Sequence, residues 1–186
     1  GKGSMDELAS GMIGVSNRTG RTGNAYNPTQ NPGGSSGGSA AAVSANFAVV
    51  VIGTDNSGSV RIPAAFNGVY GLRPSTGLIS QSGIFPRGNL DGIAGPLTRS
   101  VEDMATVLSV IAKPDNKDRK TLQHPVINSY SNLLNRRDLK GLKFGIVRSG
   151  AKNNTFKNTP KDIQHLFDNF FEKLKAEGVT LTDIHL

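Results

Sequence analysis

Cysteine is absent from this chain, which removes any disulfide framework and any cysteine-ligated metal site. The redox compartment cannot be read from that absence. Histidine is scarce: His124, His165 and His185 lie far apart in sequence and form no ligand spacing, so each reads as a surface or boundary residue and no metal site is expected. No apolar run reaches membrane-spanning length, and the longest one near the front, FAVVVIG, is strand-sized, so no membrane partner is expected. Acidic residues are few, 14 against 21 basic ones, which leaves a net charge of +7 and an isoelectric point near 9.9. Such a balance invites a nucleic-acid partner. The basic residues, however, are scattered through solvated stretches such as KPDNKDRK and LNRRDLKG without interleaved aromatics, so nucleic-acid binding is not the expectation.

What is present is apolar material for one compact domain or part of one: 186 residues, 36% of them hydrophobic. The chain opens on Gly1 and closes at Leu186 after the alternating stretch VTLTDIHL, so both ends read as cuts in a longer sequence. In GKGSMDELASGM, Leu8 and Met12 stand four apart and suggest a short helix. The polar stretch SNRTGRTGNAYNPTQNPGG follows as a long loop, and loops of that length in a compact domain are usually functional.

From Ser39, SAAAVSANF is helix-compatible, and AVVVIG, residues 48 to 53, reads as a strand buried on both faces. SVRIPAAFNG is a second short helix with Pro63 in its first turn, and VYGLRPSTG holds another short strand. Ser100 with Asp103 forms a capping-box arrangement ahead of an amphipathic helix presenting Val101, Met104, Leu108 and Ile111. Residues 113 to 141 are polar and connecting, and LKFGIV is a strand. The strongest helix pattern is TPKDIQHLFDNFFEKLKAEG, with Thr159 as cap, Pro160 opening and Gly178 closing. Its stripe of Ile163, Leu166, Phe167, Phe170, Phe171 and Leu174 is expected in a core. Strands alternating with helices argue for an α/β fold, a layered sheet with flanking helices.

Two loops stand out, GGSSGGS at 33 to 39 and GTDNSGSVR at 53 to 61. If the first opens a helix and the strand after that helix runs back antiparallel, the second loop returns to the edge where the first began. Nine helical residues rise about 13 Å and five strand steps cover about 16 Å, so Ser35 and Ser59 are expected to face each other. Both loops precede helices, so free backbone N–H groups converge there and suit a developing negative charge, as an oxyanion hole does. Neither a phosphate-binding G-x-x-x-x-G-K-[ST] nor a dinucleotide G-x-G-x-x-G occurs, and no cofactor is expected. GGSSG does satisfy G-x-S-x-G, the nucleophile elbow that would make Ser35 the nucleophile. That elbow needs a strand running into the serine, and residues 16 to 32, polar and holding Pro28 and Pro32, do not supply one.

The stretch GGSSGGSAAAVSANFAVVVIGTDNSGSVRIPAAFNGVYGLRPSTG resembles the signature region of the amidase signature family. GKGSMDELA resembles the segment ahead of that region, LDGIAGPLTRSVEDMA the one after it and LKGLKFGIV the next strand, so the likeness runs over essentially the whole chain. In that family a Ser–Ser–Lys triad hydrolyses amides. The resemblance implies that Ser59 is the nucleophile and that Ser35, following a cis peptide bond after Gly34, relays a proton between nucleophile and lysine. It implies an oxyanion hole of backbone N–H groups from Asn56, Ser57, Gly58 and Ser59, and support of the loops by Ser36, Asp55 and Arg61. Two features depart from the family. Ser57 stands where glycine is usual, and the triad lysine belongs to a segment further upstream of Ser35 than the 34 residues that precede it here. Lys2 does not match it.

The expectation is therefore an incomplete amidase signature domain over residues 1–186, lacking the segment with the catalytic lysine and the C-terminal part. The intact protein would be a cytoplasmic amidase that cleaves a small-molecule carboxamide through an acyl-serine intermediate, its partners being that substrate and the remaining segments of its own chain. The chain alone is expected to be catalytically silent. A catalytic A-type subunit of a tRNA-dependent amidotransferase is the alternative, and a non-catalytic scaffold is a third reading.

Overall fold

The computed structural model describes residues 1–85, 92–135, 138–149 and 158–185. The chain divides into two compact units, Gly1–Leu134 and Asn135–Leu186.

The first unit is organised around a three-stranded antiparallel sheet. Its strands are β3 (Val50–Asp55), β5 (Ile93–Thr98) and the two-residue β4 (Tyr70–Gly71), in the order β3-β5-β4. A two-residue hairpin, β1 (Val15–Ser16) with β2 (Gly20–Arg21), lies within the stretch expected as pure loop. Helix α1 (Gly37–Ser44) and helix α2 (Arg61–Phe66) pack with the sheet through Ala40, Val43, Val60, Ala64 and Leu97. Helix α3 (Val101–Ile111) packs through Met104 and Leu108 against Ala94 and Ile79. Ala94 and Leu97 are an odd number of positions apart on one strand, so the two helical layers lie on opposite faces of β5. All six residues of β5 are buried.

β3 is not the doubly buried strand its β-branched run suggested. Asp55, Gly53 and Val51 turn toward α1 and its cluster, whereas Ile52 is 44% exposed. The cause is position: β3 is an edge strand covered by α1 on one face. The expected N-terminal helix also fails to form. A single 3-10 turn, Glu7–Ala9, takes its place, with Leu8 at φ 50° and Ala9 at φ 58°. The Asp6 carboxylate accepts from Gly14 N at 3.1 Å and Val15 N at 3.2 Å, a local side-chain alternative to helical bonding.

The polar stretch before the first serine loop is pinned rather than loose. Buried Asn67 donates through Nδ2 to Pro32 O at 2.7 Å and Pro63 O at 2.9 Å, and its Oδ1 accepts from Ala25 N at 3.1 Å. Asn24 Nδ2 donates to Phe66 O at 2.6 Å. The end of α2 thus fixes where the chain enters residues 33–36. At α3, Ser100 Oγ accepts from Asp103 N at 3.0 Å, the cap read from the sequence.

The second unit is a β-α-β element: β6 (Lys143–Ser149) and β7 (Thr180–His185) pair in parallel, joined through helix α4 (Lys161–Ala176). Pro160, not Thr159, occupies the N-cap position, which lies within the usual one-residue latitude of a helix boundary. Gly178, at φ 80°, closes the helix. Val179 N donates to Leu174 O and Gly178 N to Lys175 O, the paired bonds of a Schellman end. The aromatic stripe is not a core here. Leu174 is buried, but Leu166 is 63% exposed and Phe170 53%. A helical period identifies the apolar face of a helix, not what covers it, and the two strands of this unit are too few to bury that face.

Candidate active site

The two serine loops meet. Ser36 N donates to Ser59 O at 3.0 Å, which joins the N-terminal approach of α1 to that of α2. Ser36 Oγ accepts from Thr54 N at 3.2 Å and donates to Thr54 O at 3.4 Å, so the same residue ties the first loop to the end of β3. The out-and-back path of α1 and β3 therefore brings the loops to one edge, as the residue counts required. The Gly34–Ser35 peptide bond is cis. Asp6, buried and unsuspected from sequence, sits under this loop: its N–H donates to Ser35 O at 3.2 Å, and a Cβ at Gly34 would collide with its Oδ2. Position 34 is glycine because a carboxylate occupies the space where a side chain would start.

Asp55 organises the second loop. Its side chain is fully buried and accepts from Gly58 N at 2.7 Å, Val60 N at 3.0 Å and Arg61 N at 3.2 Å. Arg61 adds a fork, Nε to Oδ2 at 3.0 Å and Nη2 to Oδ1 at 3.1 Å. Burial alone pushes this carboxyl upward, but the Arg61 bond and the N–H groups of Val60, Gly58 and Arg61 outweigh it and hold its pKa at about 2, below the ordinary 3.8. Arg73 is a second cation near Asp55, with Nε 3.8 Å from Oδ1. Nothing in its sequence context, GLRPST, marked it for that place.

Ser59 is buried at the end of this loop and lines a cavity of about 570 Å³ together with Asn56, Thr54 and the 3-10 turn at Glu7–Ala9. Among the described residues, the N–H groups of Asn56, Ser57 and Ser59 have no hydrogen-bond partner, whereas that of Gly58 is held by Asp55. Ser57 is exposed and its φ is not positive, so a side chain there is accommodated. Gly58, at φ 137°, could not take one without strain.

Ser35 Oγ is fully buried and has no hydrogen-bond partner among the described residues; it is not bonded to Ser59. His124 Nε2 is engaged with Thr76 O at 2.8 Å, and His165 and His185 belong to the second unit. No strand runs into Ser35, as the elbow geometry would require. Among the described residues there is no grouping of three metal-binding side chains, and no helix is long and apolar enough to cross a membrane.

A mixed α/β unit with two serine-glycine loops stitched at one sheet edge is the arrangement to compare with known proteins, and that comparison gives the family. The amidase family model matches residues 1–186. The chain belongs to the amidase signature family. It is 38% identical over 187 residues to the A subunit of glutamyl-tRNA(Gln) amidotransferase from Deinococcus deserti, covering all of this chain and 37% of that protein. The native peptide amidase of Stenotrophomonas maltophilia superposes on the whole chain with a TM-score of 0.89 at 36% identity, 38% of that structure being covered. The A subunit of the Thermotoga maritima glutamyl-tRNA(Gln) amidotransferase does so with a TM-score of 0.85 at 30% identity, 39% being covered. The chain thus spans a little over a third of the length of the relatives it matches.

Proposed function

We propose that the protein containing this chain hydrolyses carboxamides through an acyl-serine intermediate, with Ser59 as nucleophile and Ser35 as proton relay. The observation that carries this reading is the placement of Ser59 on a cavity beside three unpartnered backbone N–H groups. Ser59 Oγ adds to the amide carbonyl and its proton passes by way of Ser35 to a base. The carbonyl oxygen, now negative, is stabilised by the N–H groups of Asn56, Ser57 and Ser59. The amine leaves with a proton, and water then hydrolyses the acyl-serine ester. Ser36, Asp55 and Arg61 hold the loops in register. The base is a lysine from residues outside Gly1–Leu186, as the family resemblance implies. A buried Ser35 Oγ without a partner is what such a relay looks like when the base is not within the described residues.

The test uses the full-length protein, its Ser59→Ala variant and the 186-residue chain on an aryl carboxamide. Turnover by the full-length protein, with none above background from the other two, is expected: a serine hydroxyl without a base is a weak nucleophile, and donors alone leave roughly 10³-fold over water. Undiminished turnover by Ser59→Ala removes Ser59 from the nucleophile role. A second reading is supported by the curated relatives named as the A subunit of glutamyl-tRNA(Gln) amidotransferase. On that reading the same chemistry releases ammonia from glutamine within a complex, and glutaminase activity that depends on a partner protein distinguishes it.

A further inference from the structure

We infer that the cavity at Ser59 selects carboxamides with an apolar substituent, and that Leu8 sets this preference. The inference rests on the acyl-serine reading above. Met5, Leu8, Ile84 and Phe85 converge on the cavity that holds Ser59 and Asn56. Apolar side chains gathered on one concavity with a few polar groups are the usual lining of a small-molecule site.

The acidic groups of the same wall are turned to other work. Asp6 holds Gly14 N and Val15 N, and Glu7 Oε1 accepts from Ser16 Oγ at 3.0 Å and Asn17 N at 2.6 Å. These bonds clamp the turn on both sides of Leu8, with Ala9 N donating to Asp6 O at 3.0 Å and Ser10 N to Glu7 O at 2.8 Å. The clamped turn holds Leu8 and Ala9 at positive φ, a conformation that side chains other than asparagine, aspartate and glycine seldom adopt, and such conformations cluster at ligand clamps. A leucine held in that conformation, in the wall that also bears Ser59, is placed to meet an apolar group.

Burial of one methylene favours binding by about fourfold, so kcat/KM of the full-length protein on straight-chain amides should rise about fourfold per CH2 from acetamide to hexanamide. Leu8→Asn, which suits the left-handed turn, should lower the hexanamide-to-acetamide ratio at least tenfold. Phe85→Ser, at an exposed position that leaves folding intact, should lower it by a smaller factor. A flat series in the wild type, or an unchanged ratio in Leu8→Asn, overturns the inference. Preference for succinamate over an uncharged amide of equal length also overturns it and gives the wall to Arg18, which lines the same cavity. Absence of turnover with every carboxamide refutes the acyl-serine reading itself, an outcome separate from a flat series.

Discussion

Replacing Asp55 by asparagine tests whether the loop that carries Ser59 is held by one ionised carboxylate. Five donors converge on that side chain: the N–H groups of Gly58, Val60 and Arg61, and Nε and Nη2 of Arg61. The Arg61 side chain is 53% exposed, so its share of the loss is small, because water takes over its hydrogen bonds. The buried N–H groups have no such recourse. The pKa of Asp55 is about 2 in the fold against an ordinary 3.8, and that difference is worth about 2.4 kcal/mol in favour of the ionised form. Because the folded value is the lower one, this stability is fully present above the unfolded pKa and is lost as pH falls through about 4 toward 2. The gap between wild type and Asp55→Asn in urea unfolding of the full-length protein, followed by circular dichroism, should be at least about 2.4 kcal/mol at pH 7 and should shrink by roughly 1.1 kcal/mol at pH 3. The difference cancels other carboxylates that titrate in both proteins. A gap below about 0.5 kcal/mol at pH 7, the range of ordinary surface substitutions, or one that does not shrink with acid, refutes the reasoning.

Two further outcomes follow from local geometry. Ser100→Ala removes the acceptor of Asp103 N at the start of α3 and should destabilise the protein by about 1 kcal/mol with no change in KM, checked by thermal unfolding beside steady-state kinetics. Gly34→Ala drives a Cβ into the Asp6 carboxylate and the Met12 backbone and should abolish turnover of carboxamides by the full-length protein; equal activity of Gly34→Ala and wild type would show that the loop yields without harm.

The parts of the structure that could be read from the sequence are those whose residue types are demanded locally. Ser36 reaches the backbone of Thr54, and Gly58 takes a φ that other residues avoid, so each local requirement is written in a single letter. Helices α3 and α4 follow from period and end signals that also act within a few residues. Strand β5 escaped notice although it is the centre of the sheet. Buried throughout, it shows no alternation, and IAGPLT contains the two residue types that ordinarily argue against a central strand. Pro96 stands opposite Ile52 without an N–H to give to the ladder, and its carbonyl accepts from Leu72 N at 3.1 Å.

Tertiary partners were the least legible. The four-residue spacing of Leu8 and Met12 imitated a helix, while the adjacent Asp6 used its side chain to hold a different turn. The same aspartate lies beneath Gly34, more than two dozen residues along the chain, and Arg73 approaches Asp55 from beyond the end of β4. A buried carboxylate requires donors, but it does not state in its own sequence neighbourhood where they come from. Asp55 shows the favourable case, with every hydrogen bond drawn from within six residues, so its role follows once the loop is recognised. Asp6 shows the opposite case. Its backbone partner Ser35 and its excluded neighbour Gly34 belong to the first serine loop, far from it in sequence. One buried acid thereby couples the turn that carries Leu8 to the loop that carries Ser35, so a substitution at Asp6 disturbs the turn and that loop together.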